Sequence, residues 1–178
     1  FYNGREYGSA FTVAYQAAKQ ANPGVVFLIG GLLLDCDPAF KQPCAPGNFF
    51  EGVLQTTGGG FDGVSFHAYD YVVEGKTGEY TLNNGWNSNS RTVGPALIAK
   101  SRFLKQKMSQ AGISGKILLN TETGVVRFNA PDGPCSDAVC ANTKTAYVPQ
   151  SYAAAIAEGL SSNMWYWLYG WWGSGLVS

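Results

Sequence analysis

Apolar positions along the chain switch repeatedly between helical and strand periods. Tyr7, Phe11, Ala14, Ala18 and Ala21 share one helical face, and Asn-Pro-Gly at 22–24 stops that helix. The unbroken apolar run VVFLIGG at 25–31 predicts a strand buried on both faces. Asn48 followed by Glu51 has the capping-box pattern of a short helix that runs through Thr57 and ends at the three glycines 58–60. DGVSFHAY at 62–69 reads as the second strand. Residues 94–112 read as a helix with Leu97, Phe103, Leu104 and Met108 inward and the basic residues outward. KILLNTET at 116–123 is the third strand, and 149–160 a helix that begins with Pro149 in its first turn. MWYWLYGWW at 164–172 closes the series as a fourth strand.

Strand and helix thus alternate four times, which predicts a parallel sheet with helical crossovers in a single α/β unit over residues 1–178. The connections differ in kind. Helix-to-strand links are short and glycine-rich, whereas the strand-to-helix links, roughly 32–48, 70–93 and 124–148, are long. Long loops in a compact domain are usually functional. All three leave the C-terminal ends of the strands, where β/α barrels and open α/β sheets build their sites.

Composition narrows the classes. The chain has 178 residues, enough for one core but short of the roughly 250 of a complete eight-stranded barrel. Aromatic residues make up 14% and charged residues only 13%, which excludes a disordered chain. Lys+Arg and Asp+Glu number 12 each, so no basic excess points to nucleic acid or to an anionic membrane as partner. The longest apolar run, 25–34, is about half a membrane span. No basic and apolar leader opens the chain at Phe1, so any signal peptide is expected to have been removed already or to lie outside this sequence.

The four cysteines form two local pairs, Cys36 with Cys44 and Cys135 with Cys140, each in a loop-like segment. Two short-range disulfides are the economical reading, with free thiols or a zinc site as the alternatives, since four cysteines allow three pairings. Disulfides imply an oxidising compartment, so the protein is expected to be secreted or extracytoplasmic. A serine-hydrolase elbow, a phosphate loop and a dinucleotide fingerprint are all missing from the sequence, and no cofactor or metal is expected.

The ordered set GREYGSAFTVAYQAAKQANPGVVFLIGG, FFEGVL, FDGVSFHAYDY, KILLNTETG and MWYWLYGWW resembles the C-terminal half of a β/α-barrel glycoside hydrolase of the retaining cellulase- and xylosidase-like families (clan A). The resemblance implies that the four strands are barrel strands five to eight, truncated at both ends. It implies hydrolysis of β-linked sugars in an oligosaccharide or polysaccharide by double displacement, with two carboxyl groups about 5–5.5 Å apart. Glu122, at the end of the third strand, is the implied nucleophile. The general acid/base of these families follows an Asn-Glu pair that this chain lacks, so it is expected upstream of Phe1.

His67 and Tyr69 share a strand face. The resemblance gives the tyrosine a hydrogen bond to the nucleophile and the histidine a place beside sugar hydroxyls or the carboxylates. Asp70 is read as a sugar contact or a turn cap. Trp165 and Trp167 share a face and are candidate sugar platforms, Trp167 the better match, with ordinary core as the alternative. Trp171 and Trp172 line a groove or pack against a further helix. A non-catalytic carbohydrate-binding barrel is the alternative function, and an independent α/β domain with a redox or structural role is another.

Overall fold

The computed structural model describes residues 3–34, 49–82, 86, 88–128 and 130–177. Cys36, Cys44 and the Asn48 cap lie outside the described residues. The elements are α1 (Gly4–Ala21), β1 (Leu28–Leu32), α2 (Phe49–Thr57), β2 (Gly63–Val72), β3 (Tyr80–Thr81), α3 (Ala96–Gln110), β4 (Ile117–Val126), α4 (Ala138–Ala157) and β5 (Ser162–Trp165). Strands β1, β2, β4 and β5 are parallel and adjacent in chain order, and the short β3 pairs antiparallel with the end of β2. The sheet grows in one direction, without the switch point of a doubly wound sheet.

Each strand has two distinct faces. Val64, Phe66, Ala68 and Asp70 of β2 are buried, and they share a face with their β4 partners Leu118, Asn120, Thr123 and Val125. Ile29, Phe50, Val53, Phe61, Leu97 and Leu104 complete this core between sheet and helices. The opposite face carries Ser65, His67 and Tyr69 of β2 together with Ile117, Leu119 and Glu122 of β4. It is more open: Ile117 is 38% and Met164 48% exposed.

The phase of β4 changes within the strand. Phe66 stands opposite Asn120, but His67 stands opposite Glu122, so Thr121 is an extra residue. Strict alternation would put Glu122 on the same face as the buried Asn120. The bulge at Thr121 reverses this and turns Glu122 toward His67 and Tyr69. A comparable shift occurs in β1, where Gly30 and Gly31 oppose one residue of β2 and Gly31 takes φ +62°.

At the other end of the strands the links are short and tied down. Lys19 pairs with Asp62 at 2.9 Å. Phe27 N–H donates to the same carboxylate at 2.7 Å. Lys116 Nζ donates to the carbonyls of Gly59 and Phe61 at 2.8 and 2.6 Å. Helices α1 and α2 pack through glycine. A Cβ on Gly4 would stand 1.9 Å from the Phe49 carbonyl oxygen.

Several sequence expectations change. α4 begins at Ala138, because Asp137 caps it by accepting from Cys140 N–H at 3.1 Å, and Pro149 lies inside the helix. The third long loop is therefore 127–137, and Cys140 sits in a helix. The last strand ends at Trp165, and residues beyond it are held by the loop after β4 through Gly133 N–H to Gly170 O (2.9 Å) and Gly175 N–H to Gly133 O (3.0 Å). In α1, Phe11 is buried but Ala14 and Ala21 are exposed, since the interhelical contact runs through Gly4 and Gly8. In α3, Lys100 is buried, against the expectation that every basic residue faces outward. The β3 pairing has no counterpart in the sequence reading; two residues give too short a pattern.

Candidate active site

Glu122 is the sixth of the ten residues of β4, which runs on to Val126 past the strand end expected from sequence. It lies on the open face of the sheet, and Tyr69 Oη donates to its Oε2 at 2.8 Å. His67 Nδ1 stands 3.3 Å from the same oxygen. The three side chains predicted to cooperate are thus brought together by the β2–β4 register and its bulge. Burial, and then the bond and charge of Glu122, push the Tyr69 phenol well above its ordinary range, so it stays a donor. Burial holds the His67 imidazole below its ordinary value; Glu122 opposes this shift and Lys100 reinforces it.

These groups border a cleft of about 570 Å³ lined by Tyr69, Glu122, Lys100, Tyr166, Trp167 and Trp171, among others. Trp167 is half-exposed on its wall. Tyr166 and Trp167 are joined by a cis peptide bond. Trp171 meets Tyr69 edge to face at 5.6 Å and stacks on Trp172 at 4.5 Å. Apolar ring faces beside hydroxyl and carboxylate groups suit a ligand with both C–H and O–H surfaces, as sugars have.

Trp165 does not join this group. Its indole donates to Ser174 O at 3.0 Å and packs edge to face on Tyr147 of α4, on the helix side of the sheet. The end of β5 at Trp165 breaks the alternation that places it with Trp167. Asp70 is fully buried and accepts from Ala96 N–H (2.8 Å), Tyr147 Oη (3.0 Å) and Ser88 Oγ. It caps α3, whose own N-cap residue is Pro95 and supplies no side-chain bond, so the capping alternative holds in tertiary form. Burial, only partly opposed by those donors, raises its pKa.

Several contributors escape the sequence reading, Lys100, Tyr166 and Asp132 among them. Lys100 reaches the cleft from α3, Tyr166 from the end of β5, and Asp132 from the loop after β4. That loop is fastened by the Cys135–Cys140 disulfide and by Arg127, which pairs with Glu74 and Asp137. The cysteine pair predicted locally is therefore present here. Among the described residues, no three His, Cys, Asp or Glu side chains form a metal-binding group, and no helix is long and apolar enough to cross a membrane.

No family model and no curated protein sequence matches the chain. Solved structures do resemble it. BuGH86 in complex with neoagarooctaose shares 15% identity at a TM-score of 0.59, over 92% of this chain and 25% of that one. A β-porphyranase of glycoside hydrolase family 86 from Bacteroides plebeius shares 15% at 0.55, over 97% and 30%. A hyperthermostable endo-1,4-β-D-mannanase from Thermotoga petrophila shares 15% at 0.52, over 94% and 42%. The chain spans a quarter to two fifths of the length of these structures, and it has their glycoside-hydrolase-like fold.

Proposed function

We propose that the chain is the C-terminal half of a retaining β/α-barrel glycoside hydrolase that cleaves β-linked sugars, with Glu122 as nucleophile. The observation that carries this reading is the position of Glu122: in the C-terminal half of β4, in an aromatic cleft, bonded to Tyr69 and facing His67. In the reaction Glu122 attacks the anomeric carbon, and the glycosidic C–O bond breaks. The leaving oxygen takes a proton from a general acid contributed by residues outside this chain. Water, deprotonated by the same group, then cleaves the glycosyl ester and frees Glu122.

The open face of the sheet supports the half-barrel part of the proposal, because Ile117 and Met164 there lack the cover that a closed barrel supplies. The disulfide supports an oxidising, extracytoplasmic setting. Tyr69 orients the nucleophile, His67 borders the subsite that holds the reacting sugar, and Trp167 and Trp171 offer ring faces to sugar rings.

The test is turnover of an aryl β-glycoside by a protein that carries this chain within a complete barrel. Glu122→Gln should lower kcat by at least about 10⁴-fold while the protein still binds oligosaccharide. Undiminished turnover would refute the nucleophile, and sugar binding without turnover in the parent protein would leave the non-catalytic binding barrel in its place.

A further inference from the structure

Lysine is an expensive residue to bury, since its ammonium loses water that few protein sites replace. Lys100 is nonetheless only 4% exposed. It belongs to the inward stripe of α3 with Leu97 and Leu104, where an aliphatic residue would continue the core. Its stem runs through that core and its Nζ emerges at the cleft, donating to Leu33 O and His67 O at 3.0 Å each. One ammonium therefore joins the residue just beyond β1 to the middle of β2. The ring of Trp86 lies 6.0 Å from Nζ, and its indole N–H holds Leu34 O at 2.9 Å. Leu34 has a positive φ of 49°, a backbone state that needs such fixing.

We propose that Lys100 is a positioning residue of the cleft: its ammonium ties the end of β1 to the middle of β2 and supplies the positive charge that offsets Glu122 at the His67 imidazole. The catalytic meaning of this device rests on the function proposed above, but the device itself can be measured without turnover. The groups that face His67 come from every side. Glu122 approaches Nδ1 from β4 at 3.3 Å, and Tyr69, on β2 with His67 itself, shares the Glu122 oxygen. Gly31 of β1 lies against Nε2, which a Cβ at that position would approach to 3.7 Å. Lys100 comes from α3 and binds the carbonyl of His67 itself. A carboxylate so near would make the imidazole readily protonated. Burial and the ammonium oppose it, so His67 stays neutral over a wider pH range.

His67 is the sole histidine of the 178-residue chain, so its imidazole proton resonances give its titration without assignment. Lys100→Gln keeps N–H donors and removes the charge; Lys100→Arg keeps both. The His67 pKa should rise by about half a unit or more in the glutamine variant. In the arginine variant it should stay within about 0.2 unit of the parent. Equal pKa values in all three proteins, or the same rise in both variants, would overturn the proposal, the second because repacking and not charge would be responsible. If the glutamine variant does not fold, Lys100→Met takes its place, because it keeps an unbranched stem in the core and removes the charge: the same rise supports the device, and an unchanged pKa overturns it. None of these outcomes depends on whether Glu122 is a nucleophile.

Discussion

A single carboxylate oxygen organises the site: Glu122 Oε2 meets both Tyr69 and His67. If the hydroxyl orients that oxygen in the proposed displacement, Tyr69→Phe should lower kcat about 10- to 100-fold with little change in KM, measured on the complete barrel. His67 adds a pH dependence whose sign follows from its lowered pKa. The unfolded chain binds the proton more readily, so the contribution of His67 to stability is full above the ordinary imidazole value. It is lost as pH falls through that value and then through the folded one. Urea midpoints should therefore fall more between pH 7.5 and 5.5 in the parent than in His67→Gln; parallel curves would contradict the assignment. The partnership of Glu122, His67 and Tyr69 is legible only through the family resemblance, since strict alternation along β4 would turn Glu122 away from the other two. Lys100 is not, since a lysine at helical spacing reads as solvated, whereas the carbonyls of Leu33 and His67, distant in sequence, are among the partners that hold it in the core.

Elements are held in place by contacts that hydrophobic periodicity does not record. The start of α3 depends on Asp70, a residue of β2. Asp70→Ala strands the donors of Ala96, Tyr147 and Ser88 in the core and should cost about 3 kcal/mol in urea unfolding. The α1–α2 contact depends on missing side chains. Gly4→Ala should cost about 2 kcal/mol because the Phe49 carbonyl has to move. The core strands β1, β2 and β4 were visible as apolar runs, and the β/α alternation with them. The bulge at Thr121 was invisible, because an extra residue in one strand is defined only by its partner strand. The early start of α4 was missed for another reason. Pro149 reads from sequence as a first-turn proline, while the true start is marked by Asp137, whose cap lies in a cysteine-containing segment.

At the scale of the molecule, one face of the sheet is packed by helices and the other is more open. On the proposed half-barrel reading, the chain by itself should be inactive and should self-associate through that open side, as sedimentation would report. Met164→Gln gives a two-sided measurement. It should weaken that self-association in the chain alone, and destabilise a complete barrel by about 1–2 kcal/mol, where the same position is interior. A monomeric chain whose stability responds to Met164→Gln as strongly as the longer protein would count against the half-barrel reading.

The knots formed by Lys19 with Asp62 and by Lys116 with Gly59 and Phe61 stand at the opposite ends of the strands from Glu122. These bonds hold the frame at the end away from the cleft, whereas Asp70 and Lys100 fasten it at the cleft end. Substitutions at the Lys19–Asp62 and Lys116 knots should therefore alter how well the chain survives heat without altering what the cleft accepts, while substitutions at the cleft end carry both effects at once.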